Sequence, residues 1–133
     1  MIKNKITSPK KLAIIGGSNG GLLVGTIFTK RPELFKGVVC QVPLLDMLRY
    51  HKLLAGASWI SEYGDPDDPN MRDYLANYSP YHNIVPNQNY PMVFFYTSTK
   101  DDRVHPGHAR KMVAKMKKQG HHLYYYENIE GGH

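Results

Sequence analysis

An open α/β sheet with mostly parallel strands is the fold class the sequence predicts, and three observations carry it. Short apolar runs alternate with helical patterns: Lys11 to Ile15, then Asn19 to about Thr29, then Gly37 to Val42. Strand, helix, strand within about 30 residues is a βαβ unit. The runs are apolar without alternation, as strands of parallel sheets are. Between the first run and the helix stands Gly16-Gly17-Ser18-Asn19-Gly20-Gly21, a serine hemmed in by glycines.

The first strand reads as short, buried and central, bounded by Ser8-Pro9 before it and the glycines after it. Gly16-x-Ser18-x-Gly20 has the pattern of a nucleophile elbow, a strand-to-helix turn so tight that neighbouring positions tolerate almost no side chain. Such a turn lifts the serine hydroxyl above the sheet edge. It also turns the Asn19 N–H, at the start of the helix, toward the oxygen of an attacked carbonyl. A glycine-rich turn with an incidental serine has the same pattern, so the pattern alone leaves both readings open.

The helix after the elbow carries Leu22, Leu23, Val24, Ile27 and Phe28 on several faces, and Arg31-Pro32 closes it. Pro43 ends the second strand. Leu44 to Tyr90 is an excursion of short helical pieces broken by Gly56, Gly64 and the acidic turn Asp65-Pro66-Asp67-Asp68-Pro69. Its aromatics, Trp59, Tyr63, Tyr74, Tyr78 and Tyr81, predict a lid or pocket lining, or a satellite hydrophobic cluster under a long connection. Met92 to Thr97 is the third strand and Ser98 to His105 a loop. Pro106 opens a helix in which Ala109, Met112, Val113 and Met116 share one face, ending at Gly120. Leu123 to Tyr126 is the fourth strand, and Glu127 to His133 a loop.

With 133 residues the chain is one small domain, able to bury roughly two-thirds of its unfolded surface. The apolar fraction of 41% and charged fraction of 21% are ordinary for a globular chain. No apolar stretch approaches the roughly 20 residues of a membrane span, so no membrane partner is expected. The net charge of +6 is spread out, with short clusters at Lys10-Lys11 and Lys115 to Lys118. No basic stretch is interleaved with stacking aromatics, which argues against a nucleic-acid partner. Met1 to Lys5 is basic, but no long apolar region follows as a secretory signal requires. The lone Cys40 excludes an internal disulfide and fits a reducing compartment, so a cytoplasmic location is the expectation. In its apolar strand Cys40 reads as packing.

Open parallel sheets place functional groups beyond the carboxyl ends of their strands. Ser18 follows the first strand, Asp101-Asp102 the third and His133 the fourth. The order Ser, Asp, His is that of α/β-hydrolases, whereas other triad folds use different orders. His105 and His108 lie near the two aspartates but lack a third ligand at a fixed spacing, so no metal site is expected. His121-His122 reads as a strand end at the surface.

On these residues the chain resembles the C-terminal half of the catalytic domain of prolyl oligopeptidase, from about Ser8 to His133. The matching stretches are Gly16-Gly17-Ser18-Asn19-Gly20-Gly21, Arg31-Pro32-Glu33-Leu34-Phe35, Asp46-Met47-Leu48, Trp59 with Tyr63-Gly64, Tyr78-Ser79-Pro80, Asp101-Asp102-Arg103-Val104 and Gly132-His133. Related peptidases typically carry another residue where Asn19 stands. That residue favours prolyl oligopeptidase over oligopeptidase B, dipeptidyl peptidase or acylaminoacyl peptidase.

The resemblance implies that Ser18 is the nucleophile, His133 the general base and then acid, and Asp101, rather than Asp102, the carboxylate that orients the imidazole. Asn19 would give its N–H to the oxyanion and Arg103 would hold a substrate carbonyl. Trp59 would stack on a substrate proline ring, with Tyr63, Val104 and Leu44 lining the same pocket. An ion pair with the adjacent aspartates is the alternative for Arg103, and a core position the alternative for Trp59. The implied activity is serine-type hydrolysis of short peptides after proline through an acyl-enzyme, without metal or cofactor. A general esterase, or an inactive remnant or interaction module of the same fold, are the competing readings.

Residues 1–133 are then expected to be a partial α/β-hydrolase catalytic domain, elbow to catalytic histidine, with no propeller domain. In that fold the nucleophile strand is about the fifth of eight. The implied partner is an N-terminal portion from the same or a split gene, carrying the early strands, a second oxyanion donor and a β-propeller. An unpaired edge beside the elbow strand predicts aggregation or dependence on a partner. The chain stops at His133, so no following segment is expected to pin the imidazole.

Overall fold

Strand order follows chain order in this protein, and that decides its layering. The computed structural model describes residues 1–133. Its sheet has four strands: β1 (Ala13–Gly17), β2 (Gly37–Gln41), β3 (Met92–Ser98) and β4 (Leu123–Asn128), adjacent in that order. All three pairings are parallel. Crossovers between parallel strands are right-handed, so when each new strand is added on the same side, every connecting helix lands on the same face. Helices α1 (Asn19–Lys30) and α5 (Gly107–Lys118) accordingly cover one face.

Register gives that face its residues. Ile14, Val38, Val93 and Leu123 form one row, and Gly16, Cys40, Phe95 and Tyr125 the next. Val24 and Phe28 of α1 and Met112, Val113 and Met116 of α5 pack onto Val38, Cys40, Val93 and Phe95 to make the main core. Cys40 is fully buried and its thiol donates to the Gly21 carbonyl at 3.4 Å. Burial pushes that thiol up, which makes it unreactive packing.

The opposite face is bare. Ile15, Val39, Phe94 and Tyr124 share a row there, with Ile15 67% and Tyr124 65% exposed. Tyr96 and Tyr126 stack on the same face with centroids 5.8 Å apart. The uniformly apolar runs predict strands covered on both sides, and this sheet is covered on one. β1, expected to be buried and central, instead lies at the sheet edge and pairs only with β2, and with one face bare it alternates between exposed and half-buried positions.

The excursion folds as predicted into short pieces: 3₁₀ turns at Tyr50–Lys52 and Leu54–Trp59, then α2 (Ile60–Tyr63), α3 (Pro69–Tyr78) and α4 (Pro80–Asn83). Asp68 caps α3 by accepting from Asn70 N and Met71 N, with Pro69 at the first helical position. Leu22, Leu44, Met47, Tyr50, Leu75 and Val104 form a second core cluster, against which Trp59, Tyr63 and Tyr78 pack. These three aromatics therefore pack on a satellite cluster, while Tyr74 stays 61% exposed, edge-on to Tyr78. No helix is long and apolar enough to cross a membrane.

Candidate active site

Ser18 sits between the end of β1 and the start of α1 with φ 56° and ψ −117°. A non-glycine residue avoids this region unless its surroundings enforce it, and such strain collects at functional sites. Here the enforcing contacts are backbone ones: Ser18 N donates to Gln41 O at 2.9 Å, and Ser18 O accepts from Leu22 N at 3.1 Å. A Cβ at Gly16 would meet Gly20 O at 2.1 Å, and one at Gly21 would meet Pro43 Cα at 2.8 Å. The tightness expected at every neighbour is thus confined to these two. Gly17 has ordinary clearance, and a Cβ at Gly20 would meet nothing within 4 Å. Asn19 opens α1, where helix N–H groups are unpaired and the dipole favours negative charge.

Asp101 and His133 meet. Asp101 Oδ2 lies 2.8 Å from His133 Nδ1, the carboxylate fully buried and the imidazole 17% exposed. Asp101 Oδ1 accepts from Arg103 N and Val104 N, both at 2.9 Å, which locks the carboxyl plane. A carboxylate oxygen accepts, so Nδ1 is the donor in this contact and Nε2 takes no part in it. The imidazole is therefore held from the side by Asp101. Asp102 is exposed and makes no hydrogen bond or ion pair with His133, which distinguishes the two neighbouring aspartates. Ser18 makes no hydrogen bond to His133, although both lie beyond the carboxyl ends of the parallel strands.

Arg103 is exposed and its guanidinium forms none of the chain's ion pairs, which removes the ion-pair alternative and leaves its donors free. Leu44 and Val104 are each 2% exposed and belong to the second core cluster, with Trp59 and Tyr63 half-buried on its margin. These four expected pocket residues are thus brought together. A groove of about 390 Å³ beside the elbow is lined by Asn19, Leu22, Tyr63 and Tyr78. Of the four, Tyr63 alone reaches it. A larger depression, about 590 Å³, lies along α5 between Tyr81 and Lys115, remote from the elbow.

A buried polar network behind the site was not legible in the sequence. His108 Nδ1 accepts from Leu45 N at 3.2 Å and Asp46 N at 3.1 Å, pinning the loop after β2 to α5. Burial pushes this imidazole down to about 4, so it stays neutral and can accept. Ser79 Oγ accepts from Met47 N, donates to Leu45 O and lies 2.8 Å from His82 Nδ1. Asp46, with no exposed surface, is paired to Lys111 Nζ. Apart from Ser79 and His82, which are 3 positions apart, these contacts span 32 to 65 positions in the chain, and no local spacing connects them. His108 is thus a structural acceptor, and His105 bonds Gly107 N locally through Nδ1 at 2.8 Å.

Comparison with known proteins decides the family. A family model described as the prolyl oligopeptidase family matches residues 1–133. The chain belongs to the prolyl oligopeptidase family. It is 56% identical over its whole length to an uncharacterized peptidase of Sinorhizobium fredii, covering 18% of that relative. It is 45% identical over 120 residues to the prolyl endopeptidase of Dictyostelium discoideum, covering 90% of this chain and 16% of the relative. Among solved structures, a post-proline cleaving enzyme from Rickettsia typhi superposes with a TM-score of 0.94 at 46% identity, over 99% of this chain and 19% of that one. A structure from a mechanistic study of two prolyl endopeptidases gives a TM-score of 0.96 at 47% identity, over 99% and 20%. The chain therefore spans about a fifth of the length of these family members, and its four parallel strands with flanking helices match their fold.

Proposed function

We propose that this chain is the elbow-to-histidine part of a serine peptidase catalytic domain and acts on short peptides after proline. The observation that supports this most is the Asp101–His133 pair at 2.8 Å, with Asp101 locked by two backbone donors. Ser18 would attack the scissile carbonyl as Nε2 of His133 takes its proton, and the same nitrogen would return the proton to the leaving amine. Asp101 would hold the tautomer that leaves Nε2 basic. The Asn19 N–H would donate to the tetrahedral oxyanion, and water would then release the acyl group.

Specificity in this reading comes from Trp59, Tyr63, Val104 and Leu44. A proline ring is rigid, stacks on an indole and has no N–H to satisfy, so an aromatic, apolar slot suits it. The free guanidinium of Arg103 would donate to a substrate carbonyl. The relatives named prolyl endopeptidase support that choice over a general esterase.

A fluorophosphonate probe tests the nucleophile, and paired chromogenic peptides with proline or alanine before the scissile bond test the specificity. Labelling that disappears in Ser18→Ala, with turnover of the proline peptide only, is the expected result. Absence of labelling, even after the N-terminal portion found in longer relatives is joined to the chain, overturns the enzyme reading in favour of a non-catalytic module. Equal turnover of both peptides overturns the proline pocket.

A further inference from the structure

The geometry points to a binding site for a divalent transition-metal ion of the zinc class, formed by His51, Asp65 and Asp67. Each of these residues offers one ligand atom, and the three atoms lie within 4.8 Å of one another. His51 stands on the 3₁₀ turn Tyr50–Lys52, and the two aspartates on the turn that precedes α3. The site is independent of the proposed peptidase chemistry.

The observation that points to a ligand is the state of His51. Its side chain is only 7% exposed, yet Nδ1 has no hydrogen-bond partner and Nε2 has no well-aligned one, its single polar neighbour being the Asp67 carboxylate. Leaving a buried polar group unpaired costs about 1–3 kcal/mol, so an imidazole in this state calls for a partner. Nε2 lies 3.2 Å from Asp67 Oδ2, close enough to bond but not aligned to do so. Two ligands each about 2.1 Å from one ion at a near-tetrahedral angle stand about 3.4 Å apart, with their lone pairs converging on the ion instead of on each other. The His51–Asp67 contact, at 3.2 Å, is close to that separation.

One imidazole nitrogen with two carboxylate oxygens suits zinc and its neighbours, whereas calcium and magnesium take oxygen ligands. Asp65 and Asp67 are exposed, which leaves the remaining coordination positions to water. Asp65 Oδ1 accepts from Asp67 N at 2.9 Å and so holds the turn in shape. Lys52 Nζ, 3.4 Å from Asp67 Oδ1, is the cation that an ion must compete with. A bound ion would bridge residue 51 to residues 65–67, closing the segment that carries Trp59 and Tyr63.

The test is a competition titration of Zn²⁺ against a chromogenic chelator, with the chain at neutral pH. Saturable binding of about one ion per chain is expected, weakened about tenfold or more in His51→Ala and in Asp67→Asn, and as tight or tighter in Lys52→Ala. His51→Ala removes a buried ring and can perturb folding, whereas Asp67→Asn changes only an exposed turn and keeps the test decisive. No saturable binding overturns the proposal. So does parental affinity in Asp67→Asn, which would assign the ion to other histidines, and so does equal binding of Ca²⁺.

Discussion

Tyr63 donates its hydroxyl proton to Asn19 Oδ1 at 2.7 Å, tying the aromatic excursion to the first residue of α1. Burial pushes the Tyr63 phenol up to about 12, so it remains a donor throughout the working pH range. Tyr63→Phe keeps the ring and removes the bond. A loss of about 0.5–1.5 kcal/mol is expected, toward the low end because the bond is partly open to water. It is read as a lower urea midpoint at unchanged slope, and an unchanged midpoint would show that the tie contributes nothing.

Asp101→Asn tests the orienting role without emptying the site. Two backbone N–H groups hold Oδ1, so the amide nitrogen of the variant must occupy the position facing His133 Nδ1. An amide there donates and forces the proton onto Nε2, the wrong tautomer for a base. Fluorophosphonate labelling should fall on the order of 10³- to 10⁴-fold while the melting transition is retained. Labelling at the parental rate would remove Asp101 from the proposed machinery.

The elbow glycines are predicted to behave unequally. Gly16→Ala drives a Cβ into Gly20 O at 2.1 Å and should cost about 1–3 kcal/mol or more. Gly20→Ala meets nothing within 4 Å and lies in α1, so it should be neutral or stabilising by up to about 1 kcal/mol. Chemical denaturation of both variants reads the difference, and equal destabilisation contradicts the steric account.

Acid sensitivity should begin well above the carboxylate range. His108 is pushed from its ordinary 6.5 down to about 4, first by burial. Its folded value lies below its unfolded one, so the unfolded chain binds this proton first. The contribution is fully present above about pH 6.5 and is lost progressively as pH falls toward about 4, amounting to roughly 3 kcal/mol. His82 is shifted the same way, also first by burial. Glu127, drawn down to about 2 first by its hydrogen bond from Arg110, acts below about pH 4.5 and falls in a separate window. Stability measured across pH should therefore decline from about 6.5, and His108→Gln, which keeps an acceptor but cannot charge, should flatten that part of the curve. An unchanged slope in the variant would remove His108 as the cause.

The bare sheet face predicts self-association of the 133-residue chain. Ile15, Tyr124 and Tyr126 are all more than half exposed on that face, and β1 has a free edge. Light scattering should rise with concentration, and Ile15→Lys should reduce it. A monomer that melts cooperatively at high concentration contradicts this expectation.

Much of the architecture follows from local signals. Pro32, Pro43 and Gly120 end or follow elements at the positions their missing N–H groups and free φ dictate. The Met112, Val113, Met116 face of α5 meets the core as its spacing requires. The order of Ser18, Asp101 and His133 along the chain, each after a strand, placed them at one end of the sheet because parallel strands all point the same way.

What the sequence by itself determined is therefore the set of elements, their direction and the end of the sheet where the chemistry-bearing residues collect, since periodicity, turn residues and parallel pairing are local or directional properties. That Gly20 is sterically free, that one face of the sheet is bare, and that His108, Ser79 and Asp46 join behind the site were decided only by the tertiary structure. Those are contacts between residues far apart in the chain, set by which crossover lands on which face and by which donors the packing brings within reach. No single segment carries that information.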